Sequence, residues 1–232
     1  MKNTLFSPVF HSWCVHFYTS LGLIFSLLAV NAVVDKSAMN VAVFMAFAMF
    51  IDGTDGVLAR KFNVSKWTPN FNGRKLDDII DYLNYTFIPV FFIYQFDLLS
   101  ASWKLVLFFV LLASAYGFCN EEAKTEDGFF TGFPSYWNVV ALYLFWLDWP
   151  DWFAGALILF LAMLTFVPSK YISLNQTLQL KKLNKIFFIA WAIYLAVLLL
   201  QFETVDKRLA WLSLTYPLFY LSASVYLNFK SS

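Results

Sequence analysis

The sequence predicts an all-α fold, a polytopic integral membrane bundle of about eight transmembrane helices that forms one domain over residues 1–232. Hydrophobic residues make up 60% of the chain and aromatic residues 21%, whereas charged residues make up only 13%. That composition leaves too little polar surface for a water-soluble globule of this length. Apolar runs of about 15 to 25 residues recur from end to end, which indicates helices rather than the shorter alternating strands of a barrel.

Each apolar run is long enough, or nearly so, to cross the hydrocarbon layer. In chain order the predicted spans are 14–34, 39–60, 76–96, 100–119, 134–149, 151–170, 184–202 and 208–228. The fifth is short, since about fifteen residues separate Pro134 from the turn at residues 148–151. A re-entrant hairpin formed with the sixth is therefore an alternative. Eight spans place both termini on one side of the membrane.

The positive charges divide unequally between the two sides that this count defines. One side carries Lys36, Lys104, Lys207 and Arg208. The other carries twelve, namely Lys2, Arg60, Lys61, Lys66, Arg74, Lys75, Lys124, Lys170, Lys181, Lys182, Lys185 and Lys230. Because cytoplasmic connections are enriched in Lys and Arg, the side with twelve is predicted to be cytoplasmic.

Four carboxylates interrupt the second and third spans. Asp52 and Asp55 are three residues apart and Asp77 and Asp81 four apart, so each pair occupies one helix face. Placing one charge at mid-membrane depth costs about 2.5–3.5 kcal/mol, so four unpaired charges would cost on the order of 10 kcal/mol. Two such helices side by side would bring the four together as a metal site. Asp78 faces another way and is expected to be solvated.

The stretch around these residues carries a family resemblance. It reads Asp52-Gly-Thr-Asp55-Gly56-Val-Leu-Ala59-Arg60, then twelve residues, then Gly73-Arg-Lys-Leu-Asp77-Asp-Ile-Ile-Asp81. This resembles the signature of the CDP-alcohol phosphotransferases, which commonly have eight residues in the middle. The longer spacing resembles one branch, the bacterial phosphatidylcholine synthases. Segments 118–119, 123–127 and 132–140 resemble the same branch.

The resemblance implies a reaction and a ligand set. A CDP-linked lipid, CDP-diacylglycerol, would give its phosphatidyl group to an alcohol and release CMP, with two divalent ions, Mg²⁺ or Mn²⁺, at the site. Asp52, Asp55 and Asp77 would be the principal ligands, and Asp81 a further ligand and the general base. Gly56 and Ala59 would contact CDP. Arg60 can bind a phosphate oxygen in a bidentate manner.

The resemblance also implies where the protein works and with what. It implies a multi-pass protein of the bacterial cytoplasmic (inner) membrane; the span count and the distribution of Lys and Arg predict that the active site and both termini face the cytoplasm. Membrane lipids and a second copy of the chain, as a homodimer, are the implied partners, and nucleic acid is not.

The branch implies choline as the acceptor, whose quaternary ammonium is held best by aromatic faces and a nearby carboxylate. Candidate residues lie after Asp81 and around the second cytoplasmic connection. They are Tyr82, Asn84, Tyr85, Tyr116, Asn120, Glu121, Tyr136 and Trp137. With 21% aromatic residues, any patch of this chain shows such side chains by chance.

Two alternatives remain open from the sequence. The first is the same transfer to serine, inositol or glycerol phosphate; a phosphorylated acceptor would need basic residues beyond Arg60, and only Arg74 and Lys75 are near. The second is a cation or proton transporter, which predicts carboxylates dispersed through the membrane depth rather than gathered near one face.

Overall fold

The structure, a computed structural model, describes residues 7–172 and 181–231 except residues 124, 126 and 127. Most of these residues are helical. Lys2, three residues of the predicted 123–127 segment, Lys124 among them, and half of the 170–185 connection lie outside the described residues.

Two long helices open the described chain. Helix α1 (Pro8–Val34) begins six residues before its predicted span because the Ser7 side chain caps it, accepting a hydrogen bond from the backbone N–H of Phe10. Helix α2 (Ala38–Lys61) follows after a three-residue turn and packs along α1. Both helices are long and apolar enough to cross a membrane. The pair forms the wall against which the next helices pack.

The third predicted span is helical but changes its winding in the middle. After the short α3 (Val64–Trp67), α4 (Gly73–Asp81) continues through a π-helical segment, Tyr82–Phe87, into α5 (Ile88–Gln95). Pro89 has no N–H for the Tyr85 carbonyl, so regular α-helical bonding cannot run through this point. The Asn84 side chain meanwhile donates to the Ile80 carbonyl at 3.0 Å. The winding change therefore falls directly after Asp81.

The next three helices are shorter than predicted. Helix α6 (Leu105–Cys119) begins five residues late because residues 100–104 form a turn. Asp151 holds that turn, accepting from the Ser100 N–H at 2.7 Å and the Ser100 hydroxyl at 2.6 Å. Helix α7 (Trp137–Leu147) and helix α8 (Asp151–Leu164) follow. The eleven residues of α7 rise about 16 Å, roughly half the thickness of the hydrocarbon layer.

The C-terminal part contains helix α9 (Lys181–Leu199), a 3₁₀ turn at Phe202–Thr204, helix α10 (Lys207–Ser213) and helix α11 (Thr215–Ser231). Helix α9 is also long and apolar enough to cross a membrane. The predicted span 208–228 is broken at Leu214, because Pro217 cannot donate to the Ser213 carbonyl.

A small antiparallel ribbon is added to the mostly helical fold. Strand β1 (Phe129–Thr131) pairs with strand β2 (Lys170–Ile172), with Phe129 opposite Ile172. The Asn228 side chain of α11 accepts from the Lys170 N–H at 2.8 Å and donates to its carbonyl at 2.7 Å. The last residues of the predicted 151–170 span therefore form a turn and a strand instead of helix.

The interior is apolar and so is much of the outside. Val110, Ala141 and Ile158 are fully buried where α6, α7 and α8 meet. Large apolar side chains such as Leu105 and Leu200 are 70% and 77% exposed. An apolar exterior of this kind suits lipid rather than water, and together with the three helices of the described residues that are long and apolar enough to span a membrane it indicates a helical membrane protein.

Candidate active site

Three of the four carboxylates that were predicted to converge lie together. Asp52 and Asp55 on α2 and Asp77 on α4 each offer an oxygen, and these three oxygens lie within 4.8 Å of one another. Asp55 is buried, whereas Asp52 and Asp77 are half-buried. The two halves of the signature, separated by twelve residues in sequence, thus form one group.

Asp81 lies in the same small cavity, next to Asp52 and Asp77. The cavity has a volume of about 10 Å³, which is room for roughly one water-sized sphere. Its walls come from α1, α2, α4 and the π-helical segment. The lining residues are Thr19, Ala48, Ile51, Asp52, Asp55, Asp77, Ile80, Asp81, Asn84 and Tyr85.

Two hydroxyl groups hold the carboxylates in place. The Tyr85 hydroxyl donates to Oδ2 of Asp52 at 2.6 Å, and the Thr19 hydroxyl donates to Oδ2 of Asp55 at 2.8 Å. Tyr85 was predicted only as a choline contact, and Thr19 was not predicted at all. Thr19 depends on how α1 packs against α2, and no motif in residues 16–20 signals that packing.

Gly56, Ala59 and Arg60 lie at the end of α2 that carries the carboxylates. Arg60 is exposed, and one of its guanidinium nitrogens lies 3.4 Å from where a Cβ on Gly56 would be. The guanidinium therefore lies close to Gly56, the residue that directly follows Asp55. A phosphate group could approach the backbone at Gly56 and meet this guanidinium.

The choline candidates separate into three groups. Asn84 and Tyr85 line the carboxylate cavity, and Tyr82 lies beside it with its hydroxyl donating to the Leu111 carbonyl at 3.1 Å. Asn84 is buried and accepts from the Ser26 hydroxyl at 3.0 Å. A second cavity is lined by Tyr116, Asn120 and Glu121.

Of the remaining two candidates, Trp137 lies in the interior and Tyr136 is half-buried. Trp137 is fully buried and donates its indole N–H to the Ser114 hydroxyl at 2.8 Å, so it packs in the core and lines neither cavity. Tyr136 packs edge-on against Tyr220, with 5.8 Å between ring centroids. We do not carry Trp137 forward as a choline contact.

The donor set fits a hard divalent cation. All the converging atoms are carboxylate oxygens, which Mg²⁺ and Mn²⁺ prefer as ligands. Asp78, by contrast, lies 4.0 Å from the exposed Arg74, and its side chain is 34% exposed. It belongs neither to the three clustered carboxylates nor to the lining of their cavity.

Comparison with known proteins agrees with the geometry. The family model for CDP-alcohol phosphatidyltransferase matches residues 15–167. A phosphatidylcholine synthase of Pseudomonas aeruginosa is 39% identical over 191 residues, covering 82% of this chain and 80% of the relative. The phosphatidylcholine synthase of Borreliella burgdorferi is 33% identical and covers 95% of each chain. That of Legionella pneumophila is 32% identical, covering 94% of this chain and 88% of the relative.

The matched region contains both halves of the signature, and the relatives extend the match through most of the C-terminal helices. The chain therefore belongs to the CDP-alcohol phosphatidyltransferase family, in which it groups with the phosphatidylcholine synthases.

Proposed function

We propose that the protein transfers the phosphatidyl group of CDP-diacylglycerol to choline, giving phosphatidylcholine and CMP. The observation that carries the proposal is the convergence of Asp52, Asp55 and Asp77 from the two halves of the family signature. The choice of choline rests on relatives that are named phosphatidylcholine synthase and match most of the chain.

The carboxylates are proposed to hold one or two divalent ions, Mg²⁺ or Mn²⁺. Asp52, Asp55 and Asp77 would be the ligands, with Asp81 beside them. When bound, such ions neutralise phosphate oxygens, polarise the phosphorus and stabilise the leaving phosphate. Tyr85 and Thr19 would fix the orientations of Asp52 and Asp55.

Asp81 is the proposed general base. It lies in the cavity with the other carboxylates and at the start of the π-helical segment, which supports this role. A carboxylate there can take the hydroxyl proton as the new P–O bond forms and the bond to CMP breaks. Of the choline candidates, Asn84 and Tyr85 are near enough to this cavity to orient the acceptor.

Gly56, Ala59 and Arg60 are proposed to bind the CDP part. The close approach of the Arg60 guanidinium to Gly56 gives a small, positively charged surface that accommodates a pyrophosphate. The arginine would also limit repulsion between the anionic substrate and the acidic group.

We further propose that the chain crosses the bacterial cytoplasmic membrane eight times. The connections assigned to the outer side by their few positive charges contact one another: Lys36 lies over the Phe96 ring, Ser100 binds Asp151, and Lys207 pairs with Asp148. The connections assigned to the cytoplasm do the same. His16 bonds Thr68, and Lys170 bonds Asn228.

This arrangement would put the carboxylates near the cytoplasmic face, where Arg60 and Lys61 end α2. Choline and CDP come from water, whereas diacylglycerol chains need lipid, so a site at helix ends serves both. The family resemblance also suggests a homodimer.

The proposal is tested by reconstituting the purified protein with CDP-diacylglycerol and Mg²⁺ or Mn²⁺. Choline, serine, inositol and glycerol phosphate are offered separately, and CMP release and the lipid product are measured. Choline-dependent CMP release and phosphatidylcholine are expected, and both should be abolished by a chelator and reduced at least about a hundredfold by Asp81→Asn. Asp78→Asn is the matched control, because it removes a neighbouring carboxylate that lies outside the group.

Product from a different alcohol would keep the carboxylate site and refute choline as acceptor. No CMP with any acceptor would refute the transfer reaction.

A further inference from the structure

A second, larger cavity lies between the end of α6 and the end of α8. It has a volume of about 590 Å³ and shares no lining residue with the carboxylate cavity. We call it the α6–α8 cleft. Its lining residues are Tyr116, Asn120, Glu121, Glu122, Thr125, Thr131, Thr165, Phe166, Val167 and Pro168.

Helix α6 separates this cleft from the carboxylates. The Phe118 ring faces the π-helical segment, packing edge-on against Tyr82 at 5.8 Å. Tyr116 precedes it by two residues, which is about 200° around the helix, and its ring lies 5.0 Å from that of Phe166. Helix α6 therefore lines the cleft but not the carboxylate cavity, and the proposed reaction does not use the cleft.

One wall of the cleft carries a buried hydroxyl with nothing to bind. Thr165 is 6% exposed, and its hydroxyl oxygen has no hydrogen-bond partner among the described residues. Its position is constrained by Gly132, where a Cβ would lie 2.4 Å from the Thr165 carbonyl oxygen, and by Gly117, where one would lie 3.1 Å from the Thr165 methyl. Buried polar atoms are almost always paired, so this hydroxyl is available to a ligand oxygen.

Two carboxylates and two aromatic rings also line the cleft. Glu121 and Glu122 are exposed, and in the described part of the chain no Lys or Arg pairs with either carboxylate. Tyr116 is half exposed, so the face of the Tyr116–Phe166 ring pair is accessible. Carboxylates alone would attract any cation, but aromatic faces favour one that carries methyl groups and no N–H donors.

We propose that the α6–α8 cleft binds a choline moiety at a position separate from the carboxylates. The ammonium would lie against Tyr116, Phe166 and the two glutamates, and the choline oxygen would accept from Thr165. The ligand is free choline or the headgroup of phosphatidylcholine, which share this chemistry. The choice of a choline moiety rests on the proposed function, whereas the cleft and its open hydroxyl do not.

A native thiol reports on this site. Cys119 is exposed and lies three residues after Tyr116, on the same face of α6. In Cys14→Ser protein it is the only thiol, since the chain has two cysteines. The rate of Cys119 modification is measured with a methanethiosulfonate that carries a trimethylammonium-ethyl group and with a neutral methyl analogue, in phosphatidylglycerol nanodiscs. Choline is expected to slow the cationic reagent by about threefold or more and the neutral one less.

Two variants change the cleft without changing its charge. Tyr116→Leu and Thr165→Val should each abolish most of the protection by choline, whereas Tyr226→Leu and Thr204→Val, at exposed positions outside the cleft, should keep it. Thr165→Val should not lower the apparent Tm, because it removes an unpartnered hydroxyl and preserves the shape. A general electrostatic effect of the glutamates would leave protection intact in both cleft variants, and that result would overturn the proposal.

The same assay shows whether free choline or the phosphatidylcholine headgroup is the ligand. It also tests binding in the cleft independently of the proposed catalytic function. If nanodiscs of phosphatidylcholine protect Cys119 and added choline has no further effect, the headgroup is the ligand; if only added choline protects, the free alcohol is. Asp81→Asn protein should lose turnover and keep protection. Turnover with choline but no protection from either source refutes the cleft alone, and protection without phosphatidylcholine synthesis refutes the function alone.

Discussion

Hydrogen bonds from two hydroxyl groups orient carboxylates in the small cavity. Tyr85 and Thr19 each give a short hydrogen bond to one carboxylate, at 2.6 and 2.8 Å. Bonds to charged acceptors are stronger than neutral ones and fix the orientation of the oxygens. Asp52 and Asp55 therefore present defined oxygens towards Asp77 before any ligand arrives.

Tyr85→Phe removes the donor to Asp52 and keeps the ring. We expect kcat/KM for choline-dependent CMP release to fall about tenfold or more, because a hydrogen bond to a charged group contributes about 1.5–3 kcal/mol. Tyr143→Phe is the control, since it also removes a buried phenol, which bonds Ser213 at 2.8 Å far from the site. Equal activities of the two variants would show that Tyr85 does not position Asp52.

Thr19→Val tests the second donor through metal dependence. Partners of metal ligands commonly change metal affinity by about tenfold or more, so the Mg²⁺ or Mn²⁺ concentration for half-maximal activity should rise by about that factor. Thr86→Val is the matched control, because Thr86 is buried and its hydroxyl has no partner in the described part of the chain. An unchanged metal requirement in Thr19→Val protein would contradict this role.

The sequence predicts the carboxylates of this site but not the donors. Asp52, Asp55, Asp77 and Asp81 follow from charge in apolar segments and from helical spacing, both local properties. Thr19 lies 36 residues from Asp55, and its contact depends on the rotation of α1 about its axis. No local pattern in the sequence indicates that rotation.

The close crossing of α1 and α4 holds these residues together. A Cβ on Gly22 of α1 would lie 2.7 Å from the Cγ2 methyl of Ile80, the residue before Asp81. That methyl branches directly from Cβ, and because Ile has one strongly preferred χ1 rotamer in a helix, it moves away only at a cost. The spacing of the two helices therefore depends on the absence of a side chain at position 22. The position of Asp81 relative to α2 depends on that spacing.

Gly22→Ala should destabilise the protein by about 1–3 kcal/mol and lower activity by displacing α4. Ile80→Ala in the same chain should relieve the clash, so that the double variant is less destabilised than the sum of the single ones. Gly53→Ala, where an added Cβ meets nothing within 4 Å, is the stability control. Apparent Tm and CMP release measure both effects; strictly additive changes would contradict the tight crossing.

The hydropathy pattern of the sequence does not predict the exact ends of the helices or the local changes in their winding. Apolar runs predict most helices, but α6 begins at Leu105 because Asp151 binds Ser100, and α8 ends at Leu164 where the chain turns towards β2. These ends depend on partners about fifty residues away. The helix irregularities at Pro89 and Pro217 are indicated by the prolines themselves but not by the hydropathy pattern.

The molecule as a whole has two polar ends joined by an apolar body, which suits the proposed topology. Its orientation is tested with single cysteines in a Cys14→Ser/Cys119→Ser background, using a membrane-impermeant thiol reagent on intact cells. Ser102→Cys and Thr204→Cys should react, whereas Ser65→Cys should react only after lysis; all three positions are exposed. Reaction at position 65 in intact cells would put the loop beside the carboxylates outside and overturn the proposed orientation.

The short pair α7 and α8 needs its own test, because a re-entrant hairpin and two spans leave their flanking connections on the same side. The turn between them distinguishes the two. In the structure Asp151 binds Ser100, and Asp148 pairs with Lys207 at 2.7 Å, so this turn lies with the connections assigned to the outer face. We therefore expect Pro150→Cys, at an exposed position, to react in intact cells as fast as Ser102→Cys. Protection of position 150 both before and after lysis would mean that the turn stops within the membrane and that six helices, not eight, cross it.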